Sequence, residues 1–284
     1  MGLELRPPQA PRAWRNSGGL CGLRLLLPLG VFAFLLYLSN KWLPVLPLSD
    51  RPRAILAPQG SPSAKIHCLD PEILLGRLVK EFTASVATPG DLKLDHYLAG
   101  WRELIRFLSP LGTVFSFVTQ EATSKLSVLD AHSTGPHAAH YASLSTMASW
   151  ELSRGLVDLP GGPARDPALP RSGLRTLLLL HRALHWVQLF LAKLAGPRGA
   201  GDTGVLCAEA YREALAPYHS WFIRQAAGLA FLAMPPRGRL LDLACPGGRE
   251  VEAVGAFGWA AETLQRVYNV TQNEYAARGL LELP

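Results

Sequence analysis

The chain is poor in the residues that mark metal and redox chemistry. Four cysteines, Cys21, Cys68, Cys207 and Cys245, are scattered over 284 residues. No two form a CxxC pair, which excludes a zinc ribbon and a dithiol redox motif. At this density a disulfide framework is not expected, and burial as small hydrophobes is. Charged residues make up only 18% of the chain, and no Lys/Arg block is interleaved with aromatics. Nucleic acid is therefore not an expected partner. The net charge of +6 suits anionic surfaces in general. No HExxH motif occurs: His181 and His185 stand four apart without a paired Glu, and His132, His137 and His140 fall in a loop-like stretch. No Ser/His/Asp order and no glycine loop for phosphates is present. The expectation is a protein with no catalytic residue, no metal and no cofactor.

Strand-like alternation is missing as well. What is there is helical periodicity from residue 65 onward, so the fold class is all-α. Asp70-Pro71 opens a first helix with Pro at its first position, carrying Leu74, Leu75, Leu78, Val79 and Phe82. Helices are expected over 91–109, 113–131 and 141–153, with Pro110-Leu111-Gly112 as a break. A long Pro/Gly loop, 160–170, precedes the stretch 171–191, RSGLRTLLLLHRALHWVQLFL. Ser172 is its N-cap, and no Pro or Gly follows until Gly196 once Gly173 is passed. Leu177, Leu180, Leu184 and Leu191 share one face, and Leu179, Trp186 and Leu189 another. A helix apolar on nearly every side belongs in a core. Yet Arg175 and Arg182 lie on the stripe of Leu179 and Trp186. A guanidinium cannot enter a dry core unpaired. These arginines either lie at the mouth of the packing or meet an anion. Further helices are expected over 206–216, 218–234 and 251–277, with a short one near 240–244. The stretch 239–248, RLLDLACPGG, is similar to the first motif of S-adenosylmethionine-dependent methyltransferases. Only helical pattern follows it, so the α/β context which that motif requires is absent.

The first 64 residues read differently. Residues 1–24 are Pro- and Arg-rich. Residues 25–38, LLLPLGVFAFLLYL, form an apolar run between Arg24 and Lys41, shorter than the roughly 20 residues that span a bilayer comfortably. A cleaved signal peptide, an uncleaved signal-anchor and a hydrophobic tail with no targeting role compete. No small-x-small cleavage site follows, which favours the anchor, in the secretory membranes and with the domain lumenal. The alternative is a cytosolic protein. Residues 39–64 hold Pro44, Pro47, Pro52, Pro58 and Pro62 and read as a linker. The globular domain is 65–284. Asn269-Val270-Thr271 is a glycosylation sequon, relevant only to a lumenal domain, and inside a helix it is a poor acceptor.

Four stretches carry a family resemblance: DHYLAGWRELIRFLSPLGTVFSFVTQEATSKL (95–126), LRTLLLLHRALHWVQLFL (174–191), ALAPYHSWFIRQA (214–226) and QRVYNVTQNEYA (265–276). In this order they resemble the glycolipid transfer protein family, and most nearly its ceramide-1-phosphate branch. The resemblance implies a two-layer helical sandwich that parts to enclose lipid chains, with a polar surface cleft for the headgroup. It implies sphingolipid binding and intermembrane transfer, first of all of ceramide 1-phosphate, without covalent chemistry. The implied partners are the sphingolipid and a membrane surface. An anchored lipid sensor or scaffold with little transfer is the rival reading.

The resemblance also implies site residues. Glu121 stands where the family has an Asp that bonds the sphingoid amide, and Lys125 matches a phosphate-binding Lys. Taken alone, the pair reads as an exposed ion pair one helical turn apart. Arg175 matches the first of two phosphate arginines. Leu179 stands where the second belongs, and Arg182, on the same stripe, is either a substitute for it or a partner in a structural salt bridge. His219 matches the histidine that donates to the acyl carbonyl. Trp101 and Trp186 are read as pocket wall.

Overall fold

The computed structural model describes residues 68–159, 170–197 and 201–283, which all fall in the unit Pro62–Pro284. The basic tail, the apolar run 25–38 and the Pro-rich linker lie outside the described residues. Among those described, nine α-helices follow one another: α1 (Leu74–Ser85), α2 (Leu94–Leu108), α3 (Thr113–Thr134), α4 (Leu144–Ser153), α5 (Gly173–Ala195), α6 (Thr203–Ala214), α7 (Trp221–Phe231), α8 (Arg237–Ala244) and α9 (Glu250–Ala277). Short 3-10 turns at Ser109–Leu111, Ala138–Tyr141 and Ala216–Tyr218 join some of them. The only extended pairing among the described residues is an isolated antiparallel bridge between Lys93 and Ser143.

α5 packs against α9, α6 and α3, while α1 packs on α2 and α9. Its sequence explains this place. Leu177, Leu184 and Leu191 are fully buried and Leu180 nearly so. Trp186 is also buried, and Leu179 and Leu189 are half-buried. α5 is long and apolar enough to cross a membrane by length and composition, but most of its apolar window is buried inside the fold, which marks a core helix. Its start is over-determined. Ser172 Oγ accepts from the Arg175 amide at 3.1 Å, as an N-cap should. Glu151, fully buried on α4, then takes up the remaining donors: Ser172 Oγ at 2.6 Å, the Gly173 amide at 2.6 Å, the Leu174 amide at 3.2 Å and the Tyr141 hydroxyl at 3.0 Å. A carboxylate at a helix N-terminus also meets the positive end of the helix dipole.

Two expectations change. α1 begins at Leu74, not at Pro71. The Asp70 carboxylate accepts from the Glu72 amide and the Asp70 carbonyl from that of Ile73, so a separate turn precedes the helix. The cysteines change more. Cys207 is free and buried, as expected for a small hydrophobe. Cys68 and Cys245 are joined in a disulfide across 177 residues of sequence. The bond ties the segment before α1 to the turn after α8. Gly112 fits its assigned break: at φ 110° it occupies a backbone region that disfavours other residues, and it sets α3 off from α2.

Candidate functional site

Two contacts set the register of α3 on α5. Phe115 stacks on Trp186 with ring centres 6.5 Å apart, and His132 Nε2 meets the Arg171 carbonyl at 2.7 Å. The helices therefore run antiparallel. Glu121 and Lys125 lie alongside the part of α5 that carries Arg175, Leu179 and Arg182. α3 turns Phe115, Ala122, Leu126 and Leu129 into the core and leaves Glu121 in water. Lys125 Nζ reaches Glu121 at 2.7 Å, with 23% of the lysine side chain exposed against 75% of the glutamate's. An exposed pair of this kind contributes only about 0.3–0.5 kcal/mol, so it opens easily for a better partner. Arg175 is exposed at the head of α5.

His219 enters from the other end of the same stretch. A run of rings leads to it: Phe115 on α3, Trp186 on α5, then Tyr211 on α6, whose hydroxyl is 2.7 Å from His219 Nδ1. Burial pushes the His219 imidazole below its ordinary pKa, so the neutral ring is favoured. Of the two tautomers that allow this bond, the one in which the Tyr211 hydroxyl donates to Nδ1 carries the ring proton on Nε2. Nε2–H is then a donor for a ligand carbonyl.

Arg182 is engaged elsewhere. Its Nη2 donates to the Leu281 carbonyl at 2.8 Å, and its guanidinium lies 4.0 Å from the centre of the Tyr218 ring. The expected alternatives for Arg182 were a phosphate contact or a salt bridge. The partners observed are a carbonyl and an aromatic face, which fix the C-terminal segment beside the turn that presents His219. As a substitute for the arginine missing at Leu179, Arg182 is therefore already committed.

Three residues with a part here escaped the sequence reading. Tyr211 orients His219. Arg224, exposed on α7, sets a positive charge near the Tyr211 hydroxyl. Glu151 anchors the head of α5 just before Arg175. Arg224 falls in the stretch 214–226 that carries the resemblance, so its signal was present. Four of the five histidines weighed as ligands stack on rings, His132 on Tyr141, His140 on Trp150, and both His181 and His185 on Tyr268, while His137 lies tilted against Trp150.

A groove of about 540 Å³ runs between α5 and α9, lined by Gln188, Ala192, Gly258, Glu262 and Arg266 among others. Gln188 is 13 residues beyond Arg175, roughly 20 Å along the helix axis at 1.5 Å per residue, so this groove is separate from the charged cluster. α7, next to His219, is unusual in the other direction. Phe231 is its only buried residue, while Trp221, Phe222, Ile223 and Leu229 face solvent. Phe222 is 66% exposed, and Leu232, just beyond the helix, 83%.

A glycolipid transfer protein (GLTP) family profile matches residues 92–246. The chain belongs to the glycolipid transfer protein family. The rat ceramide-1-phosphate transfer protein is 44% identical over 203 residues, covering 72% of this chain and 93% of the relative. The human ceramide-1-phosphate transfer protein is 45% identical over 194 residues, covering 68% and 88%. Among solved structures, human ceramide-1-phosphate transfer protein in complex with 2:0 ceramide 1-phosphate aligns with a TM-score of 0.68 at 42% identity, covering 75% of this chain and 99% of that one. The apo form of the mouse protein gives 0.68 at 41% identity, covering 74% and 99%. The all-helical arrangement described above is the two-layer sandwich of this family, whose members are transfer proteins rather than enzymes.

Proposed function

We propose that this domain binds ceramide 1-phosphate and carries it between membranes. The observation that supports this most is the 42% identical human structure with the lipid bound, whose fold matches over almost its whole length. In this reading Lys125 and Arg175 hold the phosphate. Glu121 accepts from the sphingoid amide N–H, and His219 Nε2–H donates to the acyl carbonyl. Phosphate oxygens displace the carboxylate of Glu121 from Lys125, because a doubly charged acceptor is the stronger partner. The lipid chains pass between the helical layers, which must part to admit them: Phe115 and Trp186 close the interior at this point and are both buried. Each methylene sheltered this way avoids about 0.8 kcal/mol of exposure to water, the barrier that makes unaided transfer slow.

The membrane surface is the second partner in this reading. The exposed aromatic and aliphatic residues of α7 form an apolar face beside His219, suited to an interface. The Cys68–Cys245 bond supports a lumenal or extracellular domain, since such bonds persist in oxidising compartments. With that topology, residues 25–38 act as signal-anchor.

Transfer of ceramide 1-phosphate between vesicles tests the assignment. Arg175→Ala and Lys125→Ala should each lower the rate about tenfold, the loss of one charge-assisted contact of roughly 1.5 kcal/mol. Helical circular dichroism should be unchanged. Rates unaffected by both substitutions overturn the site. The rival, an anchored sensor, is favoured by Leu179 at a phosphate position. It predicts that the lipid co-purifies in native mass spectra while vesicle transfer stays at background.

A further inference from the structure

We propose that Asn269 carries an N-linked glycan. Asn269-Val270-Thr271 is the only N-x-S/T sequence in the chain. In the folded domain Asn269 is exposed on α9, on the solvent stripe shared with Gly255, Trp259, Glu262 and Arg266. Its side-chain oxygen accepts one surface hydrogen bond, from Gln265 Nε2 at 2.8 Å. A bulky hydrated substituent on its nitrogen therefore meets water rather than packed atoms. The independent observation is the disulfide. A domain that holds Cys68–Cys245 has passed through an oxidising compartment, where N-glycosylation also takes place.

The position of the sequon inside a helix bears on timing. Thr271 is fully buried, and its hydroxyl donates to the Val267 carbonyl at 2.8 Å. The folded domain cannot offer that hydroxyl to an enzyme. The modification must precede folding of α9, on the emerging chain. The step is a transfer without redox change. Asn269 Nδ2 forms a bond to C1 of an oligosaccharide, the C1–O bond to its lipid-diphosphate carrier breaks, and the nitrogen loses one proton while the diphosphate leaves with the electron pair. A glycan here also fixes orientation. It cannot enter a bilayer, so the α9 stripe faces away from a membrane met through α7.

This inference rests on the lumenal reading above, and the experiment separates the two. The full chain is expressed in mammalian cells and isolated under thiol-blocking conditions. Peptide mass spectrometry then reads the 68–245 bond and the 269 site in one sample. The expected result is an oxidised bond and a glycosylated Asn269, with a mobility shift on peptide:N-glycosidase treatment. The shift disappears in Asn269→Gln and persists in Thr271→Ser, which keeps the buried hydroxyl. An oxidised bond with bare Asn269 overturns the glycan and leaves the lumenal reading standing. Reduced Cys68 and Cys245 with bare Asn269 overturn both. A shift that survives Asn269→Gln overturns the assignment to this residue.

Discussion

Glu151 and Glu121 are the same residue type on helices that both pack near α5, and they have opposite circumstances. Glu151 is fully buried and accepts from four donors, two of them backbone amides at the head of α5. Glu121 is three-quarters exposed and meets one lysine a turn away. A buried carboxylate survives only when its lone pairs are all engaged, because desolvation costs several kcal/mol. Such a group has nothing left for a ligand. The exposed carboxylate keeps unoccupied lone pairs and a weak partner, which is what the proposed reading asks of a pair that a sphingoid amide and a phosphate take over. Charge in this fold thus divides into a set that holds α5 in place and a set that α5 and α3 present to the outside.

The largest test of this division is Glu151→Ala. It orphans two amides, a hydroxyl and a phenol in a dry site, and should cost about 3–5 kcal/mol in chemical denaturation. Glu121→Ala should stay within roughly 0.5 kcal/mol of the parent. If the two substitutions cost the same, burial is not what separates these glutamates.

A smaller effect sets buried His181 apart from surface histidines. Burial pushes its pKa down to about 4, with further repulsion from His185 and Arg182, while Gln272 bonds Nε2 and opposes the shift. The unfolded chain takes a proton on this ring near pH 6.5, and the folded chain refuses it until about 4. Stability should therefore be whole above the unfolded value and fall as the pH drops through that window, by about 1–3 kcal/mol. Burial moves His185 and His219 in the same direction. Denaturation at pH 7.5 and pH 5 measures the slope. His181→Phe, which keeps the stack on Tyr268, should flatten it. A slope unchanged by the substitution assigns the acid sensitivity elsewhere.

The helices were legible because their signals are local. Ser172, the apolar stripes of α5, and the Pro and Gly breaks each act within a few residues, and the observed bounds fall within a few residues of those expected. What was missed depends on distance in sequence. Glu151 meets the head of α5 from 21–23 residues away. Cys68 finds Cys245 across 177. No periodicity encodes either meeting, and only the folded chain brings them together. The charged cluster lies between these cases. Glu121 and Lys125 share a turn and were legible as a pair. Their register with Arg175 came only with the α3–α5 packing, and Tyr211 behind His219 only with the turn that follows α6.

Leu179→Arg is the finest test of the exposed set. Leu179 is half-buried, one turn beyond Arg175 and on the α5 stretch that the antiparallel register sets alongside Glu121 and Lys125. A guanidinium on a long stem can lie along the apolar stripe and hold its head in water, so the fold should lose no more than about 1 kcal/mol. A second fork beside Arg175 strengthens contact with a phosphate monoester and does nothing for an uncharged headgroup. Transfer of ceramide 1-phosphate relative to an uncharged glycosphingolipid should rise about three- to tenfold, which corresponds to roughly 0.7–1.4 kcal/mol. An unchanged ratio, with the helical spectrum intact, means that this turn of α5 does not face the headgroup. In the proposed reading the phosphate would then be held by Arg175 and Lys125 alone.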